Sequence, residues 1–211
     1  MIAPTIGSLP LDTTRAISRD EIASLPIGRY EGDICVVRTP QDVERAREDL
    51  SRERFVGFDT ETRPSFTKGN SHSPCLIQAA TATTVYLFRL RQKSDFELPA
   101  ALVGSPGTVK VGIGLADDIR ALKVVHPLEG WNLLDLGLVA KRCGLGQTGL
   151  RNLAGLFLKV RIPKSTKTSN WAAPELSPAQ ICYAATDAWI CRQLFLRFVD
   201  IGMIRLCSAQ D

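Results

Sequence analysis

Phe55-Val56-Gly57-Phe58-Asp59-Thr60-Glu61 is the stretch on which the fold turns. Residues 55–60 open with apolar and small side chains and read as a buried strand. Two acids follow at its C-terminal end. Carboxylates at positions i and i+2 of an extended chain project from the same face, so Asp59 and Glu61 offer their oxygens to one point in space. Like charges that close raise each other's proton affinity, and clustered hard oxygen donors are what Mg²⁺ or Mn²⁺ selects. An Asp-x-Glu after a strand also serves as an ordinary strand-end turn with solvated acids, so the surrounding chain has to decide.

Outward from this strand, residues 75–80 and 85–90 have strand character, and their short separation predicts an antiparallel hairpin built onto the first strand. Upstream, residues 34–37 are a short apolar run, and 40–50 are helical with Pro40 at the first position. Downstream, residues 108–113 read as another strand. Its partner helix, 115–125, ends before His126-Pro127, where proline makes continuation costly. Helical patterns cover 134–143 and 150–158, and a last long helix opens at Ser177-Pro178 and runs to about residue 199. Strands first, then alternation with helices, predict an α/β fold with a mixed β-sheet flanked by α-helices. The first 30 residues mix prolines, glycines and charges, and read as a partly ordered arm with one short helix near 19–25.

The 211 residues suffice for one well-packed core. No stretch approaches the roughly 18–20 uncharged apolar residues of a membrane span. The opening residues lack the basic start and apolar core of a secretory signal, so the expected location is the cytoplasm. Six scattered cysteines, Cys35, Cys75, Cys143, Cys182, Cys191 and Cys207, form no CxxC pair and read as reduced thiols. The net charge of +4 says little, but its distribution says more. Between Leu136 and Pro174 there is no acid, while Lys141, Arg142, Arg151, Lys159, Arg161, Lys164 and Lys167 all fall there. Such a segment attracts a phosphate backbone through counterion release, or else is simply a solvated face.

Further acids recur at points where the pattern predicts turns into helices. Gly112-Ile-Gly-Leu-Ala-Asp-Asp118 joins a strand to a helix, and acids in a first helical turn are favoured by the macrodipole whatever else they do. Tyr183-Ala-Ala-Thr-Asp187 sets a phenol and a carboxylate one turn apart on one helix face. Taken together, the 55–61 segment, the Gly-Ile-Gly-x-x-Asp-Asp segment, Ser169-Asn-Trp-Ala-Ala and Cys182-Tyr-Ala-Ala-Thr-Asp187 resemble, in order and spacing, the three motifs of DEDDy-type 3'-5' exonucleases. Within that branch the chain is similar to ribonuclease D and, more closely, to the exonuclease domain of the Werner-syndrome helicase and its stand-alone bacterial relatives. The resemblance spans about residues 32–198. It implies a ribonuclease H-like fold, an exonuclease domain over 31–211 behind the 1–30 arm, and release of nucleoside 5'-monophosphates from the 3' ends of single-stranded DNA or RNA.

Carried over residue by residue, the resemblance implies two divalent cations, Mg²⁺ or Mn²⁺. Asp59, Glu61 and Asp187 hold one, while Asp59 and Asp118 face the second. Tyr183 helps to orient the attacking water. Asp118 is preferred to Asp117 because the family's acid is followed four residues later by an apolar helix residue, here Leu122. Ribonuclease D carries helical nucleic-acid-binding domains after its exonuclease domain, and this chain stops 24 residues beyond Asp187. Substrate grip is therefore expected from the domain itself, the arm or oligomerisation, with Thr62, Phe66, Lys164 and Lys167 as candidate contacts. Trp171 is expected to pack the loop that carries it against the core.

Other signals are weaker. Gly144-Leu-Gly-Gln-Thr-Gly149 satisfies GxGxxG but follows a helix and lacks an acid about 20 residues later, so it reads as a helix-to-helix turn. His72 and His126, the only histidines, have no companions at metal-ligand spacing. The competing reading is a non-catalytic nucleic-acid-binding module that keeps the exonuclease fold.

Overall fold

The computed structural model describes residues 4–10, 16–63, 72–92, 95, 97–125, 132–163 and 169–206. Its centre is a six-stranded sheet. The strands are β2 (Asp33–Val37), β3 (Phe55–Thr62), β4 (Pro74–Ala80), β5 (Thr84–Arg89), β6 (Val109–Gly112) and β7 (Leu133–Asp135), in the spatial order β2-β5-β4-β3-β6-β7. Only β4 runs against the rest: it pairs antiparallel with β3 and β5, while β2 with β5, β3 with β6 and β6 with β7 are parallel. The expected hairpin on the first strand is thus present, inside a mixed sheet of ribonuclease H-like architecture.

Helices cover both faces, which is why the central strands are apolar on both sides. On one face α2 (Pro40–Ser51), α3 (Glu97–Gly104) and α4 (Ala116–Val125) enclose a core of Leu50, Val56, Phe58, Ile77, Ala79, Tyr86, Phe88, Ile119 and Leu122. On the other lies α7 (Pro178–Asp200), joined by α5 (Leu136–Arg142) and α6 (Leu150–Leu153). The start of α7 follows the sequence rule. Ser177 accepts from the Gln180 amide at 3.3 Å, the Gln180 side chain returns the bond, and Pro178 occupies the first turn, where its missing N–H costs nothing.

Three expectations change. Residues 134–143 are not one helix: Leu133–Asp135 pairs with β6, and Asp135 then caps α5 by accepting from the amides of Gly137 and Leu138. The 150–158 helix is α-helical only to Leu153. A π-helical turn, Ala154–Leu158, follows and ends at Lys159 in the left-handed region, φ 56°. The described parts of the first 30 residues stay mostly at the surface but make defined contacts with the domain. β1 (Pro4–Ile6) pairs antiparallel with β8 (Ile204–Leu206), α1 (Arg19–Ser24) matches the expected short helix, and Leu9 and Ile17 are buried in the α5–α7 core. The GxGxxG stretch connects α5 to α6, with Gly144 at φ 87° and Gly149 as the N-cap of α6.

Candidate active site

The parallel strands β3, β6 and β7 all end at one edge of the sheet, and the crevice beyond the carboxyl ends of such strands is where α/β folds collect ligands. Asp59 and Glu61 close β3 at that edge, Gly112 closes β6, and Asp135 closes β7. What completes the edge is the approach of α7. A Cβ on Gly57 would lie 2.0 Å from the Ala188 carbonyl oxygen and 2.9 Å from the Arg192 amide nitrogen, so only glycine lets the helix backbone sit directly on β3. Asp187, one residue before Ala188, is thereby lowered onto the strand that carries Asp59 and Glu61.

Carboxylate oxygens of Asp59, Glu61 and Asp187 all lie within 4.8 Å of one another; the first two are half-buried and the third is buried. Three acids from two elements converging on one small volume repel one another, and their oxygens match the donor set of a hard divalent cation. Tyr183 stands one turn before Asp187 on α7. Its phenol is pushed well above the ordinary tyrosine range, chiefly by burial, then by the charge of Asp187 and a hydrogen bond to that carboxylate, with Glu61 adding to the effect and Arg151 opposing it. The phenol is therefore neutral, and its single O–H is the donor to Asp187. Cys191, one turn after Asp187, is fully buried, and burial together with the charges of Asp59, Asp187 and Asp135 keeps it a thiol.

The remaining candidates fall as follows. Asp118 lies in the first turn of α4, immediately after the Gly112–Gly114 bend; its side chain is outside the described residues. Asp117 is outside the acid cluster: its side chain is 88 % exposed and pairs with Arg120 at 2.7 Å. Thr62 ends β3, half-buried, at a register shift against Pro74. Phe66, Lys164 and Lys167 lie outside the described residues. Trp171 is packed, fully buried, with its ring 6.0 Å from that of Tyr183. Arg89 fixes the following loop by donating to the carbonyls of Ala173 and Pro174.

Two contributors were not read from sequence. Asp135 accepts from the Gly114 amide at 3.0 Å and so ties the β6–α4 bend to the start of α5. The acid at the end of an apolar run was the available signal. Arg151, one cation of the acid-free window, sits close enough to Tyr183 to act on its phenol.

Fold and site together define a nuclease-like α/β domain with an acidic cluster at the carboxyl edge of its sheet. A sequence profile of the 3'-5' exonuclease family matches residues 34–201, and the chain belongs to that family, in its DEDDy-type branch. Among curated proteins it is 30 % identical over 167 residues to ribonuclease D of Gluconacetobacter diazotrophicus, a match covering 77 % of this chain and 42 % of that protein. Among solved structures it resembles the Nibbler EXO domain of Aedes aegypti, with a TM-score of 0.71 at 23 % identity over 82 % of this chain and 91 % of that one. It also resembles ribonuclease D of Escherichia coli, an exoribonuclease involved in structured RNA processing, with a TM-score of 0.68 at 20 % identity over 78 % and 45 %. The chain thus spans less than half the length of these ribonuclease D proteins. No helix among the described residues is long and apolar enough to cross a membrane.

Proposed function

We propose that the chain is a metal-dependent 3'-5' exonuclease that removes nucleoside 5'-monophosphates one at a time from nucleic acid 3' ends. The observation that carries this reading is the convergence of Asp59, Glu61 and Asp187 within 4.8 Å, in a chain whose family is that of 3'-5' exonucleases. The three clustered acids fit a hard cation, Mg²⁺ or Mn²⁺; in the two-ion reading Asp59, Glu61 and Asp187 would hold one ion, and Asp59 with Asp118 would face the second. When bound, these ions neutralise phosphate charge and lower the pKa of water toward neutrality.

The chain's own residues do the rest. Tyr183, protonated and donating its one O–H to Asp187, offers its oxygen lone pairs to a proton of the water that attacks phosphorus and so fixes that water's line of approach. A bond forms between the water oxygen and phosphorus, the bond from phosphorus to the neighbouring 3' oxygen breaks, and a proton passes to that oxygen. The products are a 5'-monophosphate and a chain shortened by one nucleotide with a free 3' hydroxyl. Thr62 and Phe66 after the first motif, and Lys164 and Lys167 before the last helix, are the proposed contacts to the terminal nucleotides. The ribonuclease D relatives favour RNA as the first polymer to test.

Chromatography of digests of an unlabelled oligoribonucleotide tests the reading. Mg²⁺ should yield 5'-monophosphates, and EDTA or Asp187→Ala should suppress them by at least about a hundredfold. Release of 3'-monophosphates, or equal yield in EDTA, would overturn it.

A further inference from the structure

Gln78 is fully buried, and neither its Nε2 nor its Oε1 has a hydrogen-bond partner among the described residues. It lies in β4, in register with Asp59 on one side and Leu87 on the other. Cross-strand partners share a face of the sheet, with Cβ atoms about 4.5–5.5 Å apart. The face is fixed by alternation: Ile77 and Ala79 enter the core against α2 and α4, whereas Leu76 and Ala80 enter the layer beneath α7. Gln78 therefore points toward α7, as Asp59 does. Apolar residues of the same layer are Leu76, Ala80, Leu87, Ala184 and Ala188.

A carboxamide buried there with its bonds unmade carries a desolvation cost that a leucine or methionine would avoid. Packing does not account for it. What glutamine adds is a donor and an acceptor, placed under the acid cluster and facing, across the strand pair, a carboxylate. We propose that Gln78 is a positioning residue of this site: with cations bound, its Nε2 donates to the Asp59 carboxylate and holds it in its ligating rotamer. This rests on the exonuclease reading above. Partners that orient metal ligands in this way are commonly worth about ten- to a hundredfold in metal affinity.

The test uses the full chain with Gln78→Met, unbranched and of equal length, and Gln78→Leu as a second apolar replacement. Melting in EDTA reads the fold, and Mn²⁺ titration by calorimetry reads the site. Both variants should melt at or above the wild-type temperature in EDTA and bind Mn²⁺ about tenfold or more weakly. Wild-type Mn²⁺ affinity in both variants would overturn the assignment alone, whether or not the metal-free melting temperature falls. Failure of the wild type itself to bind Mn²⁺ would overturn the metal-dependent reading, and this assignment with it.

Discussion

Tyr183 and Lys110 show how one pressure, burial, acts on opposite chemistries. The Tyr183 phenol is raised by burial and two acids and stays protonated at neutral pH, which suits the orienting part proposed for it. Tyr183→Phe removes one hydrogen bond, worth about 1–1.5 kcal/mol, and should slow turnover by roughly tenfold while leaving the shape of the pH–rate profile between pH 6 and about 9.5 unchanged. An alkaline limb present in the wild type and absent in the variant would contradict this. Lys110 is 2 % exposed, donates to the carbonyls of Ser105 and Thr108 at 2.8 Å each, and has its amine pushed down to about 8 by burial. Below pH 8 both folded and unfolded chains hold the proton, and the cost of the buried charge is fully present. From pH 8 to 10.5 the unfolded chain alone holds it, so this group makes folding more favourable as pH rises, and the gain stops above 10.5. Wild-type stability measured relative to Lys110→Met in urea should accordingly climb between pH 7.5 and 10.5; a flat difference would contradict the assignment.

At the scale of elements, the site depends on the contact between β3 and α7. Gly57→Ala drives a methyl into the Ala188 carbonyl and should cost about 1–3 kcal/mol by urea denaturation, while also weakening Mn²⁺ binding because Asp187 moves with the helix. A variant with full stability and full metal affinity would show that the close approach is not needed. The elements that carry the acids were legible because their signals are local: an apolar strand ending in Asp59, and a Ser177-Pro178 start for α7. β7 was not, since Leu133, Leu134 and Leu136 give an apolar spacing that suits a helix, and only pairing with β6, more than 20 residues earlier in the chain, makes Leu133–Asp135 extended. β1 and β8 are three-residue strands separated by nearly the whole chain, and nothing local marks either.

At the scale of the molecule, Leu9 and Ile17 tie the described N-terminal residues to the structural core. Ile17 packs in the α5–α7 cluster and its backbone is bracketed by Gln147, which accepts from the Ile17 amide at 2.8 Å and donates to its carbonyl at 3.0 Å. Ile17→Ala should lower stability by about 2–5 kcal/mol, read as a fall in melting temperature; an unchanged midpoint would mark these residues as a dispensable arm. Charge, too, resolves only in three dimensions. The acid-free window reads as a phosphate-attracting segment or a solvated face, and within it Arg151 donates to the Pro163 carbonyl and Arg161 to that of Leu25, so part of that charge ties the chain together. The pairs Asp59 with Glu61 and Tyr183 with Asp187 were readable because each spacing lies along a single element. Gln78 was visible only as one polar residue in an apolar strand, and its register with Asp59 needed the sheet.

The acid cluster is proposed to cut nucleic acid from the 3' end with bound divalent cations. The most direct measurement is a time course on 5'-labelled single-stranded RNA and DNA, from dinucleotides to about 30-mers, with Mg²⁺, Mn²⁺ or EDTA and Asp59→Ala alongside. The expected result, for a metal-dependent exonuclease, is a metal-dependent ladder of 5'-labelled products that shortens one nucleotide at a time from the 3' end and disappears with Asp59→Ala. Full Mg²⁺-dependent activity in Asp59→Ala, or salt-sensitive binding with no cleavage of any polymer, would contradict it.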